Sequence, residues 1–314
     1  MILKSADDKS KRLALLEDLQ RSTLLDFRQK KWLREELVRT RKGIKGEQDS
    51  AHYLDNYLGD TENLALMHDL RLVVDGEVAQ IDHLVINRAL GMYLIETKNY
   101  AGNLVINELG EYTVEYDDCR FGIPSPMEQS RRHERILAKL LERLDIVGRT
   151  QKTPDFHHVV MLHPKAVIQR PPSKLHDTRD VIKADQFPSW HDQFVSSHRV
   201  GSVFKLAMNL RSVDTVKECA QKLIRQHRPA DQLHLPDFMQ PKQPISSVPA
   251  KPSKASAAHV RAESAPVAAS AEPAKKLICA TCGIKISFPE GKFCWNNTKR
   301  FGGLQYCREH QAAF

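Results

Sequence analysis

The sequence has no apolar run near the roughly 18–20 residues that a membrane-spanning helix requires, so no helical span and no membrane partner are expected. Its first eight residues, Met1 to Asp8, lack the unbroken apolar stretch and small-residue cleavage site of a secretory signal. Cysteine is scarce: six occur in 314 residues, and four of them fall between Cys279 and Cys307. A disulfide framework spread over a secreted fold is therefore not expected. Clustered thiols in a reducing compartment point instead to metal, and the expected location is cytoplasmic. No internal repeat is present. The chain does have an ordinary globular composition, 41% hydrophobic and 27% charged, and enough length for two folded units. Its formal net charge of +8 favours polyanionic partners but specifies no fold.

Four segments are expected. Residues 1–42 form a basic helical N-terminal segment, rich in Leu, Lys, Arg, Glu and Gln, with one or two helices between Lys11 and Arg39. Between Arg28 and Lys45, eight basic residues (Arg28, Lys30, Lys31, Arg34, Arg39, Arg41, Lys42, Lys45) stand against Glu35 and Glu36. They can follow phosphates or serve as a solvated helical face. Residues 43–228 form the main domain, starting with a helix from Glu47 to Leu58. An antiparallel meander over 64–116 follows, with an Asp75-Gly76 hairpin turn. A helix from Pro126 to Leu144, a buried strand from His157 to Leu162 and a closing helix from Ser202 to Gln226 complete it. Residues 229–275 read as a linker, since 23 of the 40 residues in 236–275 are Pro, Ala or Ser. Residues 276–314 form a cysteine-bearing module.

The chemistry concentrates at Asp82, Glu96 and Lys98. On a strand, Glu96 and Lys98 share a face while Thr97 points into the opposite layer, and Asp82 lies on the preceding strand, able to join them through a bend. By spacing alone this is a surface salt-bridge pattern. Its setting argues otherwise, because both acids directly follow isoleucines in apolar runs, where unpaired charge is costly. Two carboxylates brought together there call for a hard divalent cation such as Mg²⁺, which can activate water and offset phosphate charge. Lys98 can orient that water. His83, beside Asp82, is expected to point to the other face as a packing or surface residue.

Taken in order, Gly43-Ile44-Lys45-Gly46-Glu47, Ile81-Asp82-His83-Leu84-Val85-Ile86, Gly91 to Gly102 and Pro126-Met127-Glu128-Gln129 resemble the nuclease-related domain (NERD) family of the PD-(D/E)xK nuclease superfamily. The resemblance runs from about Gly43 to Leu144. It implies an α/β, restriction-endonuclease-like core with a central mixed sheet flanked by helices. It also implies a catalytic set of Asp82, Glu96 and Lys98, with Glu47 as an additional acid and Gln129 as a polar partner. Asp82 and Glu96 would hold Mg²⁺ or Mn²⁺. Ser125-Pro126 stands where the family is expected to carry Asn-Pro, which bears on the helix cap rather than on the acids. The implied activity is metal-dependent phosphodiester hydrolysis on nucleic acid, with DNA as the expected substrate. The alternative is a non-catalytic nucleic-acid-binding or scaffold protein that keeps the fold.

In the C-terminal module, Cys279-Ala280-Thr281-Cys282 and Cys307-Arg308-Glu309-His310 are two knuckles with ligand spacing for structural Zn²⁺. Packed thiols or a redox-active pair are the other readings. Cys279, Cys282, Cys307 and His310 are the favoured ligands, and Cys294 is the alternative. The module resembles zinc-ribbon appendages, including topoisomerase-type fingers, without their Cys-x-Tyr-Pro-x-Cys pattern. Lys299 to Tyr306 offers groups for nucleic acid or a small core, and a protein partner is a further reading. Cys119 and Cys219 have no donor nearby and are expected to be structural.

Overall fold

A computed structural model describes residues 1–239, apart from 101, 118 and 148–152, and residues 277–311, apart from 283, 302 and 303. The two described parts belong to separate units, Met1–Ile245 and Ser246–Phe314.

The first unit is built on three long antiparallel strands, β2 (Leu64–Val74), β3 (Glu77–Asn87) and β4 (Met92–Lys98). Asp75 and Gly76 turn the first pair with φ of 52° and 79°, the left-handed geometry of a tight hairpin. Beside β4 runs β8 (Phe156–Leu162) in parallel, and β10 (Val181–Lys183) runs parallel to β8. At the other edge β1 (Ile2–Lys4) joins β2 in parallel, giving a mixed sheet of order β1-β2-β3-β4-β8-β10.

Alternation decides which side chains meet which layer. Met92 and Leu94 pack with α3 (Pro126–Arg143) and α5 (Val213–Arg225), through Leu137, Leu141, Val216 and Leu223. Tyr93 and Ile95 pack the other way, against Leu54 of α2 (Phe27–Leu58) and Phe187 and Trp190 of α4 (Phe187–Asn209). A fully buried Leu contributes ~1.5–3 kcal/mol, against ~1 kcal/mol for a helix cap, so this layering holds the helices to the sheet. Caps set their ends: Ser125 Oγ accepts from Glu128 N at 3.3 Å, so the serine keeps the cap of α3.

Two of the sequence expectations change shape. The expected 64–116 meander divides between two sheets, since β5 (Asn103–Ile106), β6 (Tyr112–Glu115) and β7 (Arg120–Ile123) form a second sheet with β9 (Ile168–Gln169). Its core residues Leu104, Ile106, Tyr112 and Val114 pack on Val160, Leu162 and Val181. The expected closing helix is two helices, because Ser212 starts α5 by accepting from Thr215 N at 3.1 Å.

The N-terminal helices also differ from expectation. After α1 (Ser10–Arg21), the helix expected at Glu47 is continuous with the basic segment: α2 runs 32 residues, opened by a reciprocal Asp26–Gln29 capping box. Gly43 and Gly46 lie within it despite their low helix propensity, in a helix anchored by the buried Leu33 and Leu37 before them and Leu54 and Leu58 after them. Residues 229–239, which composition assigned to the linker, lie against these helices. Met239 is buried with Leu16, Leu33 and Leu37, and Gln29 Nε2 donates to Phe238 O at 2.8 Å. A Pro/Ala/Ser average conceals the few apolar anchors at its start. The remainder of the expected linker, 240–275, lies outside the described residues.

The second unit contains α6 (Phe288–Asn296), α7 (Thr298–Phe301) and α8 (Arg308–Gln311), with Ile278 bridged to Lys285. Cys279, Ile286, Cys294, Phe301 and Tyr306 form its small core. Among the described residues no helix is long and apolar enough to cross a membrane.

Candidate active site and metal cluster

Glu96 and Lys98 stand on the α3 side of β4, two residues apart, and their side chains form an ion pair. The first turn of α3 brings Gln129 to both: its Nε2 donates to Glu96 Oε1 at 2.7 Å and its Oε1 accepts from Lys98 Nζ at 3.2 Å. One turn further along α3, His133 Nδ1 lies 3.8 Å from Glu96 Oε2. Burial, then the charges of Arg132 and Lys98, lower His133 to about 4, so it is neutral at physiological pH. Its position four residues beyond Gln129 was the signal that sequence reading passed over.

Asp82 reaches the same strand end by the expected bend. Apolar residues facing α3 and α5 run Ala65, Met67, then Leu70, Leu72 and Val74 on β2, and Ala79, Ile81, then Leu84 and Ile86 on β3. The alternation slips on both strands, around Asp69 and Asp82. Asp69 has a left-handed φ of 52°, uncommon for a residue with a side chain, and it marks the slip. Asp82 Oδ2 then accepts from Thr97 N at 2.8 Å, across from Glu96. His83 turns away, its Nε2 lying 3.1 Å from Thr97 Oγ1 and its Nδ1 2.7 Å from His68 Nδ1. Burial, then the neighbouring His68, hold His83 well below its usual range, as befits a neutral packed imidazole.

Burial is the main force on the acids as well. It raises Asp82 well above the usual carboxyl range, and the negative charges of Glu96 and Glu47 add to the rise. Glu96 is also raised by burial, against the pull of Lys98. Glu47 on α2 shares a cavity with Asp82, and Glu96 and Lys98 are not among the residues that line it. Glu47 Oε2 lies 2.6 Å from Lys9 Nζ, and that ammonium also stands 3.4 Å from Asp69 Oδ2. Neither Lys9 nor Asp69 was anticipated from sequence. Together Lys9, Glu47, Gln48, Asp69, Asp82 and His83 line a cavity of about 380 Å³. Carboxylate oxygens that repel one another at the end of a sheet are a donor set suited to a hard divalent cation.

Residues 42–163 match the family model described as nuclease-related domain. The chain carries a nuclease-related domain. No curated protein and no solved structure matches the chain at a significant level. The match begins inside α2 and takes in Glu47, Asp82, Glu96, Lys98, Gln129 and His133; Lys9 precedes it. A nuclease-related domain implies a function on nucleic acid and use of a divalent metal.

Apart from that domain, Cys279, Cys282, Cys307 and His310 bring their ligand atoms within 4.8 Å of one another. The Cys282 to Cys307 Sγ separation and the Cys279 Sγ to His310 Nδ1 separation are both 3.8 Å, and Cys307 Sγ lies 3.1 Å from His310 Nδ1. A tetrahedron with Zn–S bonds of ~2.3 Å has S–S edges of about 3.8 Å, so the cluster can bind zinc. Burial pushes the Cys279 thiol up, but the N–H groups of Cys282, Cys307 and Thr281 outweigh it and bring the thiol to about 6. Cys294 stands apart from this group. It is fully buried, and its sulfur accepts from Tyr306 N at 3.4 Å and from Gln311 Nε2 at 3.3 Å.

Proposed function

We propose that the nuclease-related domain is a metal-dependent phosphodiesterase acting on nucleic acid, with DNA as its substrate. The observation that carries this reading is the set Asp82, Glu96, Lys98 and Gln129 at one strand end, its two acids raised by burial. Asp82 and Glu96 would hold Mg²⁺ or Mn²⁺, with Glu47 as the further acid. When bound, such an ion lowers the pKa of a water and offsets charge on the phosphoryl oxygens. Lys98, fixed between Glu96 and Gln129, presents its ammonium to the scissile phosphate and to the attacking water. Gln129 holds both side chains in place by donating to one and accepting from the other.

The basic face of α2 supports a polyanionic substrate. Lys31, Arg34, Arg41, Lys42 and Lys45 are exposed on the side of α2 away from Glu47, and Lys31, Arg41 and Lys45 also pair with Glu35, Glu17 and Asp49. Such a row supplies phosphate contacts that strengthen as salt falls. A separate module over residues 276–314, joined to the nuclease-related domain by a tether, forms part of the same proposal, as does Zn²⁺ on Cys279, Cys282, Cys307 and His310. The zinc module would then assist the engagement of nucleic acid or a protein partner.

The test is cleavage of single- and double-stranded DNA and of RNA with and without Mg²⁺ or Mn²⁺, using the wild type beside Asp82→Ala, Glu96→Ala and Lys98→Ala. Each variant should lose at least about 10²–10³ in turnover while remaining folded, the usual cost of removing a charge that stabilises the transition state. Unchanged turnover in any two of them would refute the site. Binding without cleavage in the wild type would favour the scaffold reading.

A further inference from the structure

The Lys9 ammonium bridges two carboxylates from separate elements, Glu47 of α2 at 2.6 Å and Asp69 of β2 at 3.4 Å. It enters the acidic cavity on a segment that is pinned on both sides. Lys4 Nζ donates to Asp69 O at 2.9 Å, Asp7 N donates to Asp69 Oδ2 at 3.2 Å, and His227 Nε2 lies 2.9 Å from Asp7 Oδ2. Gln232 Nε2 donates to Asp8 O at 2.6 Å. A surface ion pair between two free side chains would contribute little. Here the backbone around the lysine is already ordered, the Asp69 side chain is only 6% exposed, and Lys9 is its one ion-pair partner among the described residues.

Charge at the cleft gives this geometry a chemical meaning. The cavity that Lys9 enters is lined by the acids Asp7, Asp8, Glu47, Asp69 and Asp82, and Lys9 is its one lining lysine or arginine among the described residues. Were Lys9 absent, Glu47 with Asp69 would form a second oxygen donor pair in the same cavity. A single ammonium and a divalent cation compete for such a pair, since both are drawn by the same carboxylate oxygens.

We propose that Lys9 occupies the second cation position of this cleft, so that the chain takes one divalent ion rather than two. The inference rests on the metal-dependent reading above and deepens it. Lys9 is then a positioning residue that fixes Glu47 and Asp69 and sets the metal count. A nuclease built this way does not wait for a second ion to assemble its site.

The experiment is Mn²⁺ binding to the zinc-loaded full chain, measured by equilibrium dialysis with the free ion followed by electron paramagnetic resonance. Lys9→Met, Lys9→Arg and Lys9→Met/Asp69→Asn are compared with the wild type. The expected stoichiometries are one for the wild type, two for Lys9→Met, one for Lys9→Arg and one for the double variant. Two tight ions on the wild type would overturn the inference whatever the variants do. One ion on a folded Lys9→Met chain, or two on the double variant, would overturn it as well. No ion on the wild type would instead sink the underlying metal-dependent reading, and the inference with it.

Discussion

Two glycines three residues apart on α2 give a controlled test of how that helix is seated. A Cβ on Gly43 would meet nothing within 4 Å, whereas one on Gly46 would stand 2.6 Å from Asn99 Cβ, a separation that requires backbone to move. Asn99 follows Lys98 directly and is tied to α2 by its Nδ2, which donates to Lys42 O at 3.1 Å. Both substitutions to alanine gain helix propensity, about 0.8–1 kcal/mol each. Gly43→Ala should therefore stabilise the first unit by about 1 kcal/mol, or roughly 2–4 °C in a domain of this size. Gly46→Ala adds an overpacking cost of ~1–3 kcal/mol, which cancels the gain or exceeds it. The difference between the two variants isolates that cost because the propensity change is shared. Urea unfolding followed by circular dichroism measures it. Gly46→Ala should also weaken Mn²⁺ binding, because moving α2 off Asn99 displaces Glu47. Equal stabilisation by both substitutions would refute the close approach of α2 to the end of β4.

Further outcomes follow from the acids and from the thiols. In divalent-free buffer, burial raises Asp82 and Glu96, so the stability they allow is fully present below the ordinary carboxyl value and is lost as pH rises through their folded values. Asp82→Asn should thus melt above the wild type at pH 8 and differ less at pH 4, and added Mg²⁺ should close the gap at pH 8; a gap that widens at low pH would reverse the sign of the argument. In the second unit, Cys279→Ser, Cys282→Ser and Cys307→Ser should each lose most zinc affinity, whereas Cys294→Ser should keep one zinc per chain with a packing penalty only. Chelation should unfold residues 277–311 and leave the first unit folded, since a core this small depends on metal binding of about 10–16 kcal/mol. Zinc retained without Cys307 but lost without Cys294 would reverse the ligand assignment.

What could be read in the sequence was whatever a local period or a short spacing encodes. The alternation Met92-Tyr93-Leu94-Ile95 fixes the faces of β4, and from it the shared side of Glu96 and Lys98 follows. The Asp75-Gly76 turn and the Pro126 helix start were legible for the same reason. Strand partnership was not, because β8 joins β4 in parallel from 58 residues further along, and nothing local to either strand specifies that pairing. The division of the expected meander into two sheets is of the same kind. Asp69 was hidden more deeply: its role depends on a left-handed φ inside a long strand, and Leu64 to Met67 is apolar at every position, so no slip in alternation shows there. Lys9 was hidden because it lies 38 residues from Glu47 and meets it only once α2 is known to be one helix.

That continuity also determines where the folded unit begins. The family match starts at residue 42, in the middle of α2, yet the helix is capped at Asp26 and its first half shares a core with α1 and Met239. Removing everything before residue 42 would discard the cap, the Leu16–Leu33–Leu37 contacts and the Lys9 ammonium together. Glu47 would then sit in the second turn of a frayed helix, with no cation against it. The N-terminal segment is therefore part of the scaffold that aims Glu47 at the cleft. It is also too firmly held, by Asp7 with His227, Asp8 with Gln232 and Arg12 with the carbonyls of Gln232 and His234, to act as a freely opening cover. Lifting it would mean breaking those contacts together with both Lys9 pairs, so the lysine's position is set by the fold itself rather than by a local fluctuation.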